Sequence, residues 1–450
     1  MRTRIAYGAP AFAMALFGVP VFVHLPRFYA DVAGAPIGAL GAAILLTRLW
    51  DAALDPVIGA WSDRAETRWG RRRPFIAAGA APLALAVALL MAPPALGPAG
   101  AVAWFTVTMA AGFLAWTTVQ IPYAALGPEL ETGHHERTAL FAVRDGLWMA
   151  GTLVAAAMPA LLRAVLPDGA GERAVFGWMG AIYGSLIVAL AWGAVAVLRE
   201  RPPAARTTAP APPWRVAREA LANRPFRILL AAYAIGALGG ALPGTLIFFF
   251  VEHVLAAPEL GDLFLALYFL VGFACLPAWT WLARRVGKKP AFLAAMGLSV
   301  AVFSAAFLLG PGDTLAYGAV VVLSGTGFGA GLVLPASMQA DTLDLDELRS
   351  GARREGVYLG LWSVVMKSSA AIGAGAGLTV LGWAGYAGTG TPPEPALLAI
   401  RVLYCLVPCA CYLAALVVAA RYPLDEAACR RIRDELDARN TRPPQAAPVA

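Results

Sequence analysis

Apolar runs of 20 residues or more recur along almost the whole of this 450-residue chain, and they leave few folds open. Inside hydrocarbon a backbone must satisfy its own N–H and C=O groups, so each run of that length reads as a membrane-crossing helix. Twelve spans are predicted, at 5–29, 37–62, 74–93, 101–127, 139–163, 175–198, 226–251, 262–283, 290–310, 314–338, 355–384 and 397–420. Charged residues make up 14% of the chain, against about 25% in an ordinary soluble domain. The first span lacks a small-residue cleavage site after a short apolar core, so it reads as a retained helix and not a signal peptide. The expected class is an all-α membrane protein.

The net charge of +7 does not point to nucleic acid once the charges are located. About 28 of the 35 Lys and Arg fall at the N-terminus, in even-numbered loops or in the tail, and about four fall in odd-numbered loops. This bias predicts both termini and the central loop in the cytoplasm, and the expected location is a multi-pass protein of a bacterial inner membrane. The five cysteines (Cys275, Cys405, Cys409, Cys411, Cys429) show no metal-ligand spacing with histidine and no disulfide framework. No nucleotide loop or nucleophile–base pair is found, so neither an enzyme nor a cofactor is expected. The expected partners are the bilayer and a small-molecule substrate, and the expected state is a monomer.

Residues 199–225 are rich in Pro, Ala and Arg and read as a cytoplasmic linker. They divide the chain into an N-terminal six-helix bundle (1–198) and a C-terminal one (226–420), followed by a charged tail (421–450). Trp69-Gly70-Arg71-Arg72-Arg73-Pro74 follows the second span of the first half. Arg284-Arg285-Val286-Gly287-Lys288-Lys289-Pro290 follows the second span of the second half. A glycine, a basic cluster and a proline in the same slot twice mark internal symmetry of the kind seen in transporters.

Few ionisable residues remain inside spans: Arg48, Asp51, Asp55, Arg144, Asp145 and Lys367. Each is costly at bilayer depth and is by default a functional candidate. Asp51 and Asp55 are one turn apart and share a helix face. At 1.5 Å per residue, Asp51 and Lys367 each lie about 18 Å into their spans and Gln120 about 10 Å, close enough to share a mid-bilayer cavity. Thr117 and Thr118 offer hydroxyls at that level. Two carboxylates with a hydroxyl suit a monovalent ion or a proton; the alternative is a permanent buried clamp with Arg48 and a distant basic residue. Lys367 reads as counter-charge to the aspartates. For Arg144, snorkelling to the interface and a role in the cavity stay equally open. Gly236, Gly239, Gly240 and Gly244, and Gly325, Gly327, Gly329 and Gly331, read as packing faces. His24 and His253, near outer span ends, read as solvated.

Three blocks carry a resemblance. The first runs from Leu49-Trp50-Asp51-Ala52-Ala53-Leu54-Asp55-Pro56 through Trp69-Gly70-Arg71-Arg72-Arg73-Pro74. The second is Ile121-Pro122-Tyr123 with Glu136-Arg137-Thr138 and Arg144. The third is Ala340-Asp341-Thr342, Asp346-Glu347, Arg353-Arg354-Glu355 and Lys367. Together they resemble the glycoside–pentoside–hexuronide:cation symporters, the melibiose-permease branch of the major facilitator superfamily. The resemblance implies about twelve helices in two pseudo-symmetric six-helix bundles working by alternating access. It implies cation binding at Asp51, Asp55 and Thr117, and a substrate cavity with Gln120, Trp116, Arg144 and Lys367. It also implies a cytoplasmic gate of Arg71, Arg72, Arg137, Asp341, Asp346, Glu347, Arg353, Arg354 and Glu355. Arg48 would pair with the carboxylates.

The chain departs from that branch in two places. Helix one has no carboxylate, and Gln120 stands where helix four carries an acid; both acids bind the sugar in the permease. Leu54 replaces a polar residue of the sodium site. The expected function is symport of an organic solute, sugar-like by resemblance or an amphiphile such as a lysolipid, driven by H+ or Na+. Export of apolar compounds by proton antiport, and a non-transporting sensor or assembly factor, are the alternatives.

Overall fold

The computed structural model describes residues 1–65, 67–130, 134–167, 169–200, 213–350, 355–388 and 390–441. Eleven of its helices are long and apolar enough to cross a membrane, and a bent pair supplies the twelfth span. We number them α1 (Arg2–Asp31), α2 (Ile37–Arg64), α3 (Arg73–Met91), α4 (Pro98–Leu130), α5 (His134–Val165), α6 (Glu172–Val197), α7 (Arg224–His253), α8 (Pro258–Ala274 with Leu276–Val286), α9 (Lys288–Ala306), α10 (Thr314–Ser350), α11 (Glu355–Trp383) and α12 (Glu394–Ala419). A short helix, Pro213–Ala222, precedes α7, and Glu426–Thr441 forms a tail helix.

The ends of these helices follow local chemistry. Proline sits in the first turn of α3, α4 and α7, where its missing N–H would have no partner anyway. Elsewhere proline deforms the helix. Pro26 and Pro408 each follow a π-turn, Pro20–His24 in α1 and Val402–Leu406 in α12. Each ring would collide with the carbonyl four residues earlier, Phe22 or Tyr404, and the wider π-turn moves that carbonyl away. Pro277 instead stands one residue into a break in α8. Its two pieces meet at Cys275 and bend by 41°, where a single straight span was predicted. Helix α10 differs too, continuing through Ser350 where hydropathy predicted an end at 338. The extension is polar, but Leu345 packs on Ile432 and Leu436 of the tail helix, so tertiary contact sustains it.

Within the first six spans α1 packs on α5 and α6, α3 on α4 and α6, and α2 on α4. Within the last six α7 packs on α11 and α12, α9 on α10 and α12, and α8 on α10. Two crossings join the halves, α2 with α11 and α5 with α8, and the π-turn of α1 also meets α7.

The α2–α11 crossing is made by glycine. A Cβ on Gly41 would stand 2.7 Å from the carbonyl oxygen of Gly375, and one on Gly382 would stand 2.7 Å from Gly38 Cα. Bare backbones therefore touch, as small-residue packing allows in lipid. The glycines picked out in the sequence at α7 and α10 serve the same purpose within the second half. Gly239 lies against Cys411, and Gly329 against the carbonyl oxygen of Gly272.

A carboxylate cluster at the helix crossing

Close approach of α2 and α11 brings charges together at the middle of both helices. Asp51 and Asp55 project from α2 at i and i+4, as their spacing requires. Asp51 is fully buried. The Thr117 hydroxyl, from α4, lies 2.9 Å from Asp51 Oδ1 and 3.3 Å from Asp55 Oδ1. Lys367 Nζ, from α11, lies 2.6 Å from Asp55 Oδ2 and 3.3 Å from Asp51 Oδ2. Arg48 donates to Asp51 Oδ2 at 3.1 Å. Its guanidinium is held between the rings of Phe22 and Phe113, at 4.0 and 4.7 Å from their centroids. Two cations thus meet two carboxylates in a low-dielectric setting, where breaking one pair strands a charge. Pro56, directly after Asp55, cannot donate to the Ala52 carbonyl and leaves the backbone looser beside the cluster.

The neighbouring hydroxyl is aimed elsewhere. Thr118, offered by the sequence at the same level, donates to its own backbone at Leu114 and does not reach the carboxylates. Residues 117 and 118 are about 100° apart on a helix, so only one can face the pair. Trp116 and Gln120 flank Thr117 on α4, both partly buried. The Trp116 ring meets Phe17 at 5.4 Å and Trp148 at 6.3 Å. Gln120 Oε1 is buried with no hydrogen-bond partner among the described residues. Arg144 is not part of the cluster. It pairs with Asp145 at 2.7 Å and lies over the Phe141 ring at 4.6 Å.

The gate residues fall into separate groups. Asp341 is buried in α10, where Lys288 Nζ (2.6 Å) and Arg433 of the tail helix (2.8 Å) hold it. Both partners belong to the second half or its tail. Asp346 is buried and Glu347 half-buried further along α10. Arg353 and Arg354, and the side chains of Arg137 and Glu355, lie outside the described residues.

Arg71 and Arg72 reveal a residue the sequence reading missed. The backbone N–H groups of Arg71, Arg72 and Arg73 all donate to the carboxylate of Glu200, at 2.6, 2.8 and 2.6 Å. They form an anion nest at the start of α3. Gly70 turns the chain into it with φ +104°, and a Cβ there would fall 2.5 Å from the same carboxylate. Arg72 also donates to Ser62 Oγ at 3.0 Å. The signal was present, because a glutamate stands three residues past the end of α6, just before the Pro-rich segment, but only folding sets it opposite the Gly70 turn. Replacing Glu200 with Ala strands three amide donors, and we expect a loss of about 2 kcal/mol in stability. Thermal unfolding of the purified variant measures it, and Glu200→Gln should recover only part.

His24 and His253 are corrected as well. His24 is only 3% exposed and faces Asp262 across the seam between the halves, with Nε2 3.6 Å from Oδ1. His253 is partly buried and bonds the Tyr386 hydroxyl at 3.1 Å.

Twelve apolar helical spans among the described residues, with charges clustered at a crossing between the two halves, are what a membrane transporter needs. A solved nucleoside transporter, NupG, shares the fold with a TM-score of 0.68 at 13% identity, covering 92% of this chain and 99% of that one. A family model described as MFS/sugar transport protein matches residues 6–426, and the chain belongs to that family. One relative is the putative glycoside/cation symporter YagG of Escherichia coli (strain K12), 28% identical over 97% of this chain and 95% of its own length. Another is the sodium-dependent lysophosphatidylcholine symporter 1-A of Danio rerio, 23% identical over 91% of this chain and 83% of that one.

Proposed function

We propose that the protein is a cation-coupled symporter that takes up an organic solute, with Asp51, Asp55 and Thr117 as the cation site. The observation that carries this reading is Lys367. In the described cluster Arg48, Asp51, Asp55 and Thr117 belong to the first half and Lys367 to the second. The cluster is neutral with Lys367 in place, so an arriving H+ or Na+ competes with the ammonium for the same carboxylate oxygens. Binding of the cation therefore loosens a tie between the halves. That gives the ion a different affinity for states in which the halves meet and states in which they part, which is what coupling requires. The inner end, with both termini, is assigned to the cytoplasm by the positive-inside bias. The chain divides at the linker into the two bundles that rock against each other.

For the solute, Trp116 and Gln120 beside the cation site would form the wall of the cavity. The unpartnered Gln120 Oε1 accepts a hydroxyl from a polar solute. A glycoside is favoured by the relative whose name specifies one, and a lysolipid is the second reading, favoured by the zebrafish relative and by the absence of a carboxylate from Arg2–Val19 of the first helix. Thermal stabilisation of purified protein against sugars, glycosides and lysolipids, each with and without Na+ at two pH values, tests both. The expected result is stabilisation by one solute class that is enhanced by one cation. Stabilisation indifferent to cation throughout would overturn symport.

A further inference from the structure

The outer seam carries a second cluster that the cation site does not use. A cavity of about 480 Å³ opens there, lined by His24, Arg27, Asp31, Arg163, Glu172 and Asp262 among others. Its charges tie the halves together. Arg163 on α5 holds Asp262 on α8 and also Glu172 on α6, the latter at 2.7 Å. Arg27 on α1 pairs with Glu252 on α7 and with Asp31 at 3.3 Å. Tyr386, beyond α11, donates to Asp31 at 3.2 Å and meets His253 on α7. At the rim Arg173 donates to the carbonyl oxygens of Pro93 and Val32, and Glu259 lines the cavity mouth.

The charges do not balance. Among the described residues of the seam stand three guanidinium groups (Arg27, Arg163 and, at the rim, Arg173) and five carboxylates (Asp31, Glu172, Glu252, Asp262 and the exposed Glu259). Carboxylates outnumber guanidinium groups there, and His24 and His253 stand in the same network. His24 is the telling one. It is buried against the Phe248 ring, both ring nitrogens lack a hydrogen-bond partner, and Nε2 points at Asp262. A neutral imidazole left this way leaves its donor unpaired within the protein, whereas an imidazolium gains a carboxylate partner from the opposite half.

We propose that His24 and Asp262 form a proton-binding site at the outer seam, distinct from the cation site, whose occupation holds the outer face shut. The proposal rests on the alternating-access reading but not on which cation drives transport. Protonation strengthens the cross-half pair, so the sealed population grows as external pH falls and shrinks as it rises. The device would keep the outer face closed in acid surroundings.

The test is a distance measured across the outer face. Spin labels are placed at Ala95 and Pro311, in exposed loops at the outer ends of α3 and α9, with the native cysteines replaced and the protein in nanodiscs. The expected result is a short-distance population that dominates at pH 5.5 and falls several-fold by pH 8.5. His24→Gln should flatten most of that change and leave the face more open at pH 5.5. His24→Lys, a permanent cation against Asp262, should keep it shut at pH 8.5, and it decides the matter if His24→Gln fails to fold. A wild-type distance indifferent to pH, or a titration unchanged in both variants, overturns the proposal. Repeating the series in Asp55→Asn separates the two readings: this variant should lose accumulation but keep the outer titration. Loss of the titration there would show that the pH response belongs to the cation site and would overturn the outer one.

Discussion

Asp55→Asn, and separately Asp51→Asn, should reduce substrate accumulation in energised proteoliposomes from well above equilibrium to an inside/outside ratio near one. One charge crossing 100 mV supplies about 2.3 kcal/mol, and 1.4 kcal/mol is tenfold, so the ratio lost is about forty-fold per 100 mV for a one-cation symporter. Asn keeps the volume and can still accept from Thr117, 3.3 Å from Asp55 Oδ1 in the wild type. It cannot exchange a cation for Lys367. Solute binding and exchange down a gradient should persist, because neither aspartate lies on the Gln120 wall. Accumulation surviving intact in both variants would remove the basis for coupling at this site.

Lys367→Gln should produce the second large effect, on stability. Lys367 Nζ serves both carboxylates, at 2.6 and 3.3 Å, and its removal leaves Arg48 alone to balance them. Breaking a buried ion pair on one side costs about 3–5 kcal/mol. The cluster is mostly shielded, with the lysine side chain 18% and that of Asp55 15% exposed, so the lower end of that range is expected. The double change Lys367→Gln with Asp55→Asn restores neutrality and should regain most of the loss, a strongly non-additive outcome for residues in contact. Thermal unfolding in detergent measures all three proteins. Simple additivity would show that the lysine is not the counter-charge of this pair. Added Na+ or H+ should stabilise the single variant more than the wild type, because either can supply the missing charge.

The cluster was partly legible before any fold was known. A carboxylate in an apolar run is so costly that Asp51, Asp55 and Lys367 declared themselves, and helix geometry set the two aspartates on one face. Depth along the helix put Lys367 at the right level. Sidedness around the helix was harder, since Thr117 and Thr118 are equivalent by depth and only the α2–α4 packing chose between them. Arg144 shows the same limit. Depth left its partner open, and the structure pairs it with its immediate neighbour Asp145. His24 was misread because position near a span end was equated with solvent, while a seam between helices buries its ends as well as its middle.

Hydrophobic run length determined the number and approximate limits of the spans, because hydrocarbon forces each backbone segment to bond within itself. Basic-residue asymmetry and the unusual cost of buried charge supplied an orientation and a short list of candidates. The tertiary structure alone decided which candidates touch, where glycine lets α2 and α11 close to backbone contact, that Glu200 fills a nest 127 to 129 residues away, and that the outer seam is short of positive charge. Those facts depend on rotation about each helix axis and on distances between distant segments. In lipid, where the outward faces are uniformly apolar, the sequence pattern leaves helix rotation only weakly marked.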